Sequence, residues 1–190
     1  MKPPLVHPYV LAGGNSSRMG RDKALLPYNG KTLLEVVHGR LASLFGAATV
    51  VGPPERYASL NLPIIPDLHP GCGPLSGIEA ALTHCETEWA LVVACDMPTL
   101  RNEMLIEIAR MAGSEQIAKI VMPQSPDGRA EPLCAAYHRS ILPIIRKSLK
   151  KHVYKVTDAI RDIPQNTPKS PIFSDFSNLN TPADWEAFRG

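Results

Sequence analysis

Trp89-Ala90-Leu91-Val92-Val93-Ala94, followed at once by Cys95-Asp96-Met97-Pro98, is the stretch that decides the fold. Six apolar residues without alternation read as a strand buried on both faces, the pattern of a parallel sheet with helices packed on either side. The run stops at an aspartate, which places a carboxylate at the edge of that sheet. Asp96 then has two readings. It is the N-cap of the helix that follows, a position aspartate favours, or it is an oxygen ligand for a hard cation such as Mg²⁺, which takes one or two carboxylates and completes its shell with phosphate oxygens and water.

Outward from this strand, the chain alternates. His7 to Ala12 is another short apolar run, and it opens directly into Gly13-Gly14-Asn15-Ser16-Ser17-Arg18-Met19-Gly20. Asn29-Gly30 signals a turn, and Thr32-Leu33-Leu34-Glu35 has the spacing of a capping box that starts a helix with Leu33, Val36, Val37, Leu41 and Leu44 on one face. Ala47–Val51 and the pair between Pro63 and Pro66 read as strands, and Asp67-Leu68-His69-Pro70-Gly71-Cys72-Gly73 leads into a helix over Pro74–His84. After Asp96 the spacing predicts a helix through Leu105, Ile108, Ala109 and Ala112, strands at Lys119–Met122 and Leu133–Tyr137, helices at Ser140–Lys151 and Tyr154–Arg161, a weak strand at Ile172-Phe173, and a last helix capped at Thr181. Strands alternating with helices predict an α/β fold with a mainly parallel sheet. The loops after Ala12, Pro66 and Ala94 then fall along the C-terminal edge of the strands, where open α/β sheets bind ligands.

The chain has 190 residues, enough to bury a sizeable core as one domain over residues 1–190 without metal or disulfide staples. Hydrophobic residues make up 44% and charged residues 20%, which excludes intrinsic disorder. A net charge of +2 is too mild to argue for nucleic acid or a membrane surface as partner. No apolar run approaches the roughly 18 residues of a membrane span, and prolines break the start of the chain where a signal peptide needs an apolar stretch; a cytoplasmic protein is expected. Cys72, Cys85, Cys95 and Cys134 form no C-x-x-C pair and no zinc-like spacing, so they read as scattered thiols in a reducing compartment.

Chemistry concentrates in the edge loops. Two glycines after a buried strand let backbone approach a ligand that a Cβ would block. Arg18 adds a guanidinium fork and Lys23, behind Asp22, a mobile ammonium, a combination suited to a polyphosphate. Gly30-Lys31-Thr32 imitates the end of a P-loop, but Leu25 stands where that motif requires its first glycine, so Lys31 reads as a solvated helix start. No G-x-G-x-x-G opens a helix, and the six histidines carry no nucleophile motif.

Leu11-Ala12-Gly13-Gly14, Ser17-Arg18-Met19-Gly20 and Asp22-Lys23-Ala24-Leu25 together resemble the signature loop of the molybdenum cofactor nucleotidyltransferases. Gly73-Pro74-Leu75-Ser76-Gly77-Ile78, Cys95-Asp96-Met97-Pro98 and Asn178-Leu179-Asn180-Thr181-Pro182 match the later motifs of that family in the same order, so the resemblance spans Leu11 to Asp184. It implies a Rossmann-like three-layer fold and a Mg²⁺-dependent transfer of GMP from GTP to the phosphate of molybdopterin, with release of pyrophosphate. The backbone of Leu11, Ala12, Gly13 and Gly14 would line the nucleotide site, Lys23 would contact the triphosphate, Asp67 the nucleoside end and Asp96 the metal. Arg18 would neutralise the β- and γ-phosphates, and Asn180 would complete the metal shell. Molybdoenzymes or cofactor-delivery proteins would receive the product.

Three points stay open at this level. Relatives that use CTP tend to carry alanine where this chain has Gly13, which tilts the base toward guanine while leaving a cytidylyltransferase as the alternative. A non-catalytic module that binds nucleotide and cofactor and delivers them is the rival of another class. Many relatives also place an asparagine near the nucleotide after the second strand, whereas this chain reads Val50-Val51-Gly52-Pro53. For the acceptor phosphate, Arg129, Lys150, Lys151 and His152 are candidates, against the plainer reading of a basic, dipole-compensating helix end.

Overall fold

The computed structural model describes residues 6–13, 22–179 and 182–189. In chain order its elements are β1 (Val6–Leu11), a 3₁₀ turn at Lys23–Leu25, the short strands β2 (Pro27–Tyr28) and β3 (Lys31–Thr32), α1 (Leu33–Phe45), β4 (Thr49–Val51), α2 (Pro54–Tyr57), β5 (Ile64–Ile65) and α3 (Pro74–His84). There follow β6 (Trp89–Ala94), α4 (Asn102–Ser114), β7 (Ile120–Val121), β8 (Cys134–His138), α5 (Leu142–Lys150), α6 (Val156–Ala159), β9 (Gln165–Asn166) and α7 (Pro182–Arg189).

Seven strands form one sheet in the order β5-β4-β1-β6-β8-β7-β9, and β2 and β3 make a separate hairpin. β1 runs parallel to β4 and β6, β4 to β5, and β7 to β9, while β8 runs antiparallel to both of its neighbours. The mainly parallel sheet is therefore interrupted by one reversed strand.

Successive side chains on a strand point to opposite faces, and the core divides accordingly. Val10, Leu91 and Val93 pack on one face with Leu34, Val37 and Leu41 of α1 and Met104, Leu105 and Ile108 of α4. Tyr9, Ala90 and Val92 pack on the other with Leu75, Ile78 and Leu82 of α3 and Ile145 and Leu149 of α5. All six residues of β6 are buried. Full burial of each Leu or Val in such a strand contributes about 1.5–3 kcal/mol, which is why the unalternating run is stable only between two helical layers.

Several expectations are corrected. Ile172-Phe173 is a turn rather than a strand: Phe173 is buried and stacks on Phe176 with ring centroids 6.4 Å apart. The edge strand is instead β9, whose Gln165-Asn166 carries no apolar signal. The helix expected over Ser140–Lys151 begins as a 3₁₀ turn at Arg139–Ile141 and becomes α-helical only at Leu142, with Pro143 in its first turn. The one expected over Tyr154–Arg161 shortens to Val156–Ala159. On α1, Leu33, Val37 and Leu41 are buried as expected, but Leu34 and His38 join them while Val36 and Leu44 are only half-buried. Thr181 lies outside the described residues. No helix among them is long and apolar enough to cross a membrane.

Thr32 forms the expected capping box. Its Oγ1 accepts from the Glu35 N–H at 3.2 Å, and its own N–H donates to Glu35 Oε2 at 2.7 Å, while Lys31 is exposed. The Gly30-Lys31-Thr32 triplet thus starts a helix. Thr32→Ala should cost about 1 kcal/mol of stability, roughly 3 °C in a chain of this size; an unmoved midpoint in thermal and urea unfolding would show that the box contributes nothing.

Candidate active site

The strand order turns at β1. β4 and β5 lie to one side of it and β6 to the other, so the crevice between the C-terminal ends of β1 and β6 is the switch point at which such sheets bind ligands. Backbone bonds continue past the strands and lock this edge together. Cys95 N–H donates to Leu11 O at 3.0 Å, Ala12 N–H to Val51 O at 2.8 Å, and Gly52 N–H to Ile65 O at 3.0 Å. Gly13 leaves the edge at φ +109°, where a side chain would be strained, and a Cβ there would lie 3.3 Å from Pro53 Cδ. A Cβ on Gly52 would sit 2.5 Å from Ala12 O. That contact is the physical reason why this chain carries glycine at 52: no side chain, asparagine included, fits at that position.

Asp96 stands directly beyond β6. It caps no helix, since α4 starts at Asn102 and its N-cap is Arg101; the N-cap reading is overturned. The turn it occupies is held by its neighbours. Asp96 O accepts from the Leu179 N–H at 2.9 Å, and Arg40 Nη1 reaches from α1 to Pro98 O at 2.7 Å and Leu100 O at 2.5 Å. The Asp96 carboxylate meets Lys23, with Nζ 3.7 Å from Oδ2, and the two side chains are only 21% and 17% exposed. Burial pushes the Asp96 carboxyl above its ordinary range, and the Lys23 ammonium opposes that push.

Lys23 opens the 3₁₀ turn that ends at Leu25. Asp22 Oδ1 caps the turn by accepting from the Ala24 N–H at 3.0 Å, and Ala24 is fully buried. The lysine is thus presented from a pinned turn although its own side chain has four rotatable methylenes. At the other end of the edge, Asp67 follows β5. Its Oδ1 accepts from the His69 N–H at 3.0 Å and from the hydroxyl of Ser76, a fully buried residue in the first turn of α3. Three strand spacings, about 14 Å, separate β5, which leads to Asp67, from β6, which leads to Asp96.

Residues 9–165 match the family described as the MobA-like NTP transferase domain. The chain belongs to this family. It is 34% identical over 187 residues to a probable molybdenum cofactor guanylyltransferase of Carboxydothermus hydrogenoformans, covering 93% of this chain and 91% of the relative. It is 36% identical over 186 residues to a protein of the same description from Nostoc sp., covering 95% and 89%. Among solved structures, the molybdopterin-guanine dinucleotide biosynthesis protein A of Archaeoglobus fulgidus superposes with a TM-score of 0.80 at 26% identity, covering 95% of each chain.

In this MobA-like nucleotidyltransferase the residues expected from the sequence fall into three groups. Leu11, Ala12, Lys23 and Asp96 converge on the switch point, with Gly13 beside Pro53. Asp67 lies along the same edge, beyond β5, where it bonds His69 and Ser76. Gly14, Arg18 and Asn180 lie outside the described residues. Of the acceptor candidates, Arg129 pairs with Glu131 at 3.0 Å and lines a cleft of about 380 Å³ with Ser125, Asp127, Asp175, Ser177 and Asn178. Lys150 and Lys151 are exposed at the end of α5, and His152 Nδ1 lies 2.8 Å from the Tyr154 hydroxyl.

Sequence reasoning missed Ser76 behind Asp67, Arg40 behind the Asp96 turn, and Tyr57 and Arg56 behind Asp22. Only Asp22 had a local signal, as a turn-capping aspartate; the others act across 9 to 60 residues of chain. The opposition between burial and Lys23 has a measurable consequence. Lys23→Met removes the cation that favours the charged carboxylate and leaves the burial, so the Asp96 pKa should rise in metal-free buffer. A carboxyl-¹³C NMR titration in which the Asp96 pKa stays put or falls would show that the pair does not interact in solution.

Proposed function

We propose that this nucleotidyltransferase, with residues 1–190 acting as one domain, transfers GMP from GTP to the phosphate of molybdopterin and releases pyrophosphate. The observation that carries the reading is the Lys23–Asp96 pair at the switch point of a MobA-like sheet. An ammonium and a carboxylate held together, four-fifths buried, supply a cation for a polyphosphate and an anion for a metal at one place. The guanylyltransferase names of relatives at 34% and 36% identity support the choice of base and acceptor.

The nucleophile of such a transfer is already an anionic phosphate, so no general base is needed. The chain's work is to align two anions and to neutralise charge on the departing pyrophosphate. On this reading the backbone of Leu11, Ala12, Gly13 and Gly14 lies against the nucleotide, which glycine at 13 allows to come close. Asp67, fixed by Ser76 and His69, meets the nucleoside end. Lys23 releases Asp96 and turns to the triphosphate, and Arg18 shares the β- and γ-phosphate charge.

The donor chemistry around Asp96 fits Mg²⁺. The residue offers a hard carboxylate oxygen, the donor type that Mg²⁺ takes together with phosphate oxygens and water. Asp96 would hold the ion and Asn180 would complete its shell. Bound there, the cation would act as a Lewis acid toward the leaving phosphates.

The cleft beside Arg129 supports an acceptor site next to the nucleotide, because the segment that lines it, Asp175–Asn178, runs straight into Leu179 and its bond to Asp96. Asn178, whose Oδ1 is buried without a hydrogen-bond partner among the described residues, is one of the residues that line this cleft.

Asp96→Asn should leave the fold intact and abolish pyrophosphate release from GTP and molybdopterin; a folded variant that retains turnover overturns the metal assignment. A second check is a thermal-shift panel of GTP, CTP, UTP and ATP with and without Mg²⁺. A nucleotide at about 100 times its Kd adds roughly 2.7 kcal/mol, a shift of about 5–10 °C here. The expected result is a Mg²⁺-dependent shift with GTP alone. A shift with CTP instead moves the assignment to cytidylyl transfer, and a shift without pyrophosphate release under any nucleotide makes the chain a binding and delivery module.

A further inference from the structure

We propose that Tyr57 is a positioning residue for Lys23: its buried hydroxyl, acting through the Asp22 carboxylate, holds the turn that presents the Lys23 ammonium beside Asp96. The proposal rests on the reading that Lys23 serves the triphosphate.

Asp22 is bonded on both oxygens. Oδ1 accepts from the Ala24 N–H at 3.0 Å, inside its own turn, while Oδ2 accepts from the Tyr57 hydroxyl at 3.0 Å and from Arg56 Nη1 at 3.1 Å. The second set reaches 34 and 35 residues along the chain to α2. The first set makes the turn; the second fastens it to the sheet. Lys23 lies between the capping carboxylate and the buried Ala24, so its backbone cannot shift without breaking one of them.

Tyr57 is built as an anchor. Its residue is fully buried, and its ring lies against the ends of β1 and β4: a Cβ on Gly52 would sit 3.0 Å from Tyr57 Cε2 as well as against Ala12 O. Burial and the facing Asp22 carboxylate hold the phenol protonated far above its ordinary range, so the hydroxyl is a permanent donor to Asp22. Arg56 differs. Its side chain is 47% exposed, and an exposed ion pair of this kind contributes little once water and salt screen it. A buried hydroxyl that donates to a charged carboxylate is the stronger of the two bonds, and its removal leaves a charge half-satisfied.

The consequence is a rigid path from the edge of β4 to the phosphate-facing ammonium. Lys23 has a long flexible stem, and a fixed backbone origin limits the volume it samples. Alignment of this kind acts on the transition state more than on ground-state binding. Gly52 leaves room for this arrangement, since a Cβ there would press on both the Tyr57 ring and Ala12 O.

The test is Tyr57→Phe, which keeps the ring and deletes one O–H, followed by kcat and KM for GTP and by amide hydrogen exchange. We expect kcat for pyrophosphate release to fall about tenfold with KM for GTP changed less than about twofold. In a Lys23→Ala background the same substitution should have no further effect on kcat. Exchange of the Leu25 and Leu26 amides, which bond back to Asp22 and Lys23, should quicken about tenfold while β6 amides stay unchanged.

An equal kcat loss in both backgrounds overturns the proposal, as does unaltered exchange in the turn. Should wild-type protein release no pyrophosphate from GTP, the functional reading fails by itself, and the exchange experiment still decides whether Tyr57 holds the turn. If Tyr57→Phe does not fold, Asp22→Asn substitutes for it, since asparagine keeps the cap and removes the charge that Tyr57 and Arg56 address. The same kcat loss, absent on Lys23→Ala, supports the path, and no loss overturns it.

Discussion

β1 and β6 pair in parallel over their whole lengths, from Val6 opposite Trp89 to Leu11 opposite Ala94, and the Cys95 N–H carries the ladder one step further to Leu11 O. These two strands are far apart in the chain and buried on both sides, so their register is set by side-chain packing on two faces at once. A slip of one residue would exchange every inward and outward side chain between the two cores. Because the register is fixed, the residues that follow the two strands are fixed as well: Ala12 and Gly13 on one, Cys95 and Asp96 on the other. The switch-point crevice is the direct outcome of that pairing, and the remaining loops are arranged around it.

The crevice then holds charge at a cost. Desolvation works against an ionised Asp96, and Lys23 offsets it. A buried carboxylate paired with one mobile cation is better suited to changing partners than one enclosed by several fixed donors. What keeps this from becoming disorder is the stiffness of the parts that carry the two groups. Arg40 ties the turn after Asp96 through two carbonyls, and Asp22 closes the turn at Lys23. The mobility is confined to side chains while the backbone on either side stays put.

Much of this was legible in the sequence where the physics is local. The uninterrupted run of β6 announced a two-sided core, Thr32 and Glu35 announced their own helix start, and Gly13 marked the point where the chain leaves β1 at a positive φ. Asp96 was legible as a position and ambiguous as a role, since a strand-end aspartate and a helix-start aspartate look the same until the start of α4 is known. The parts that stayed hidden depend on contacts across the fold. The reversal of β8 has no signature in Cys134-Ala135-Ala136-Tyr137-His138, whose burial is that of any inner strand. Ser76 and Tyr57 matter through carboxylates at Asp67 and Asp22, and no spacing rule links them. β9 is a strand only because Gln165 and Asn166 meet the free edge of β7, so its polar composition gave nothing to read.

The reversed strand has one more consequence. Because β8 runs against β6, it is the beginning of β8, at Cys134 opposite Val93, that arrives at the ligand edge, with the Leu133 carbonyl bonded to the Ala94 N–H. The loop from Met122 to Leu133 is therefore delivered to the same rim as the loops after β1, β5 and β6, although it precedes its strand while they follow theirs. The rim is assembled from two parts: the loops after β5, β4 and β1 on one side of β6, and the β7–β8 connection on the other. Length or composition can change in that connection without disturbing a crossover of the first part. An architecture of this kind lets one activation chemistry be kept constant while the molecule being activated is exchanged, much as a tool holder accepts different bits.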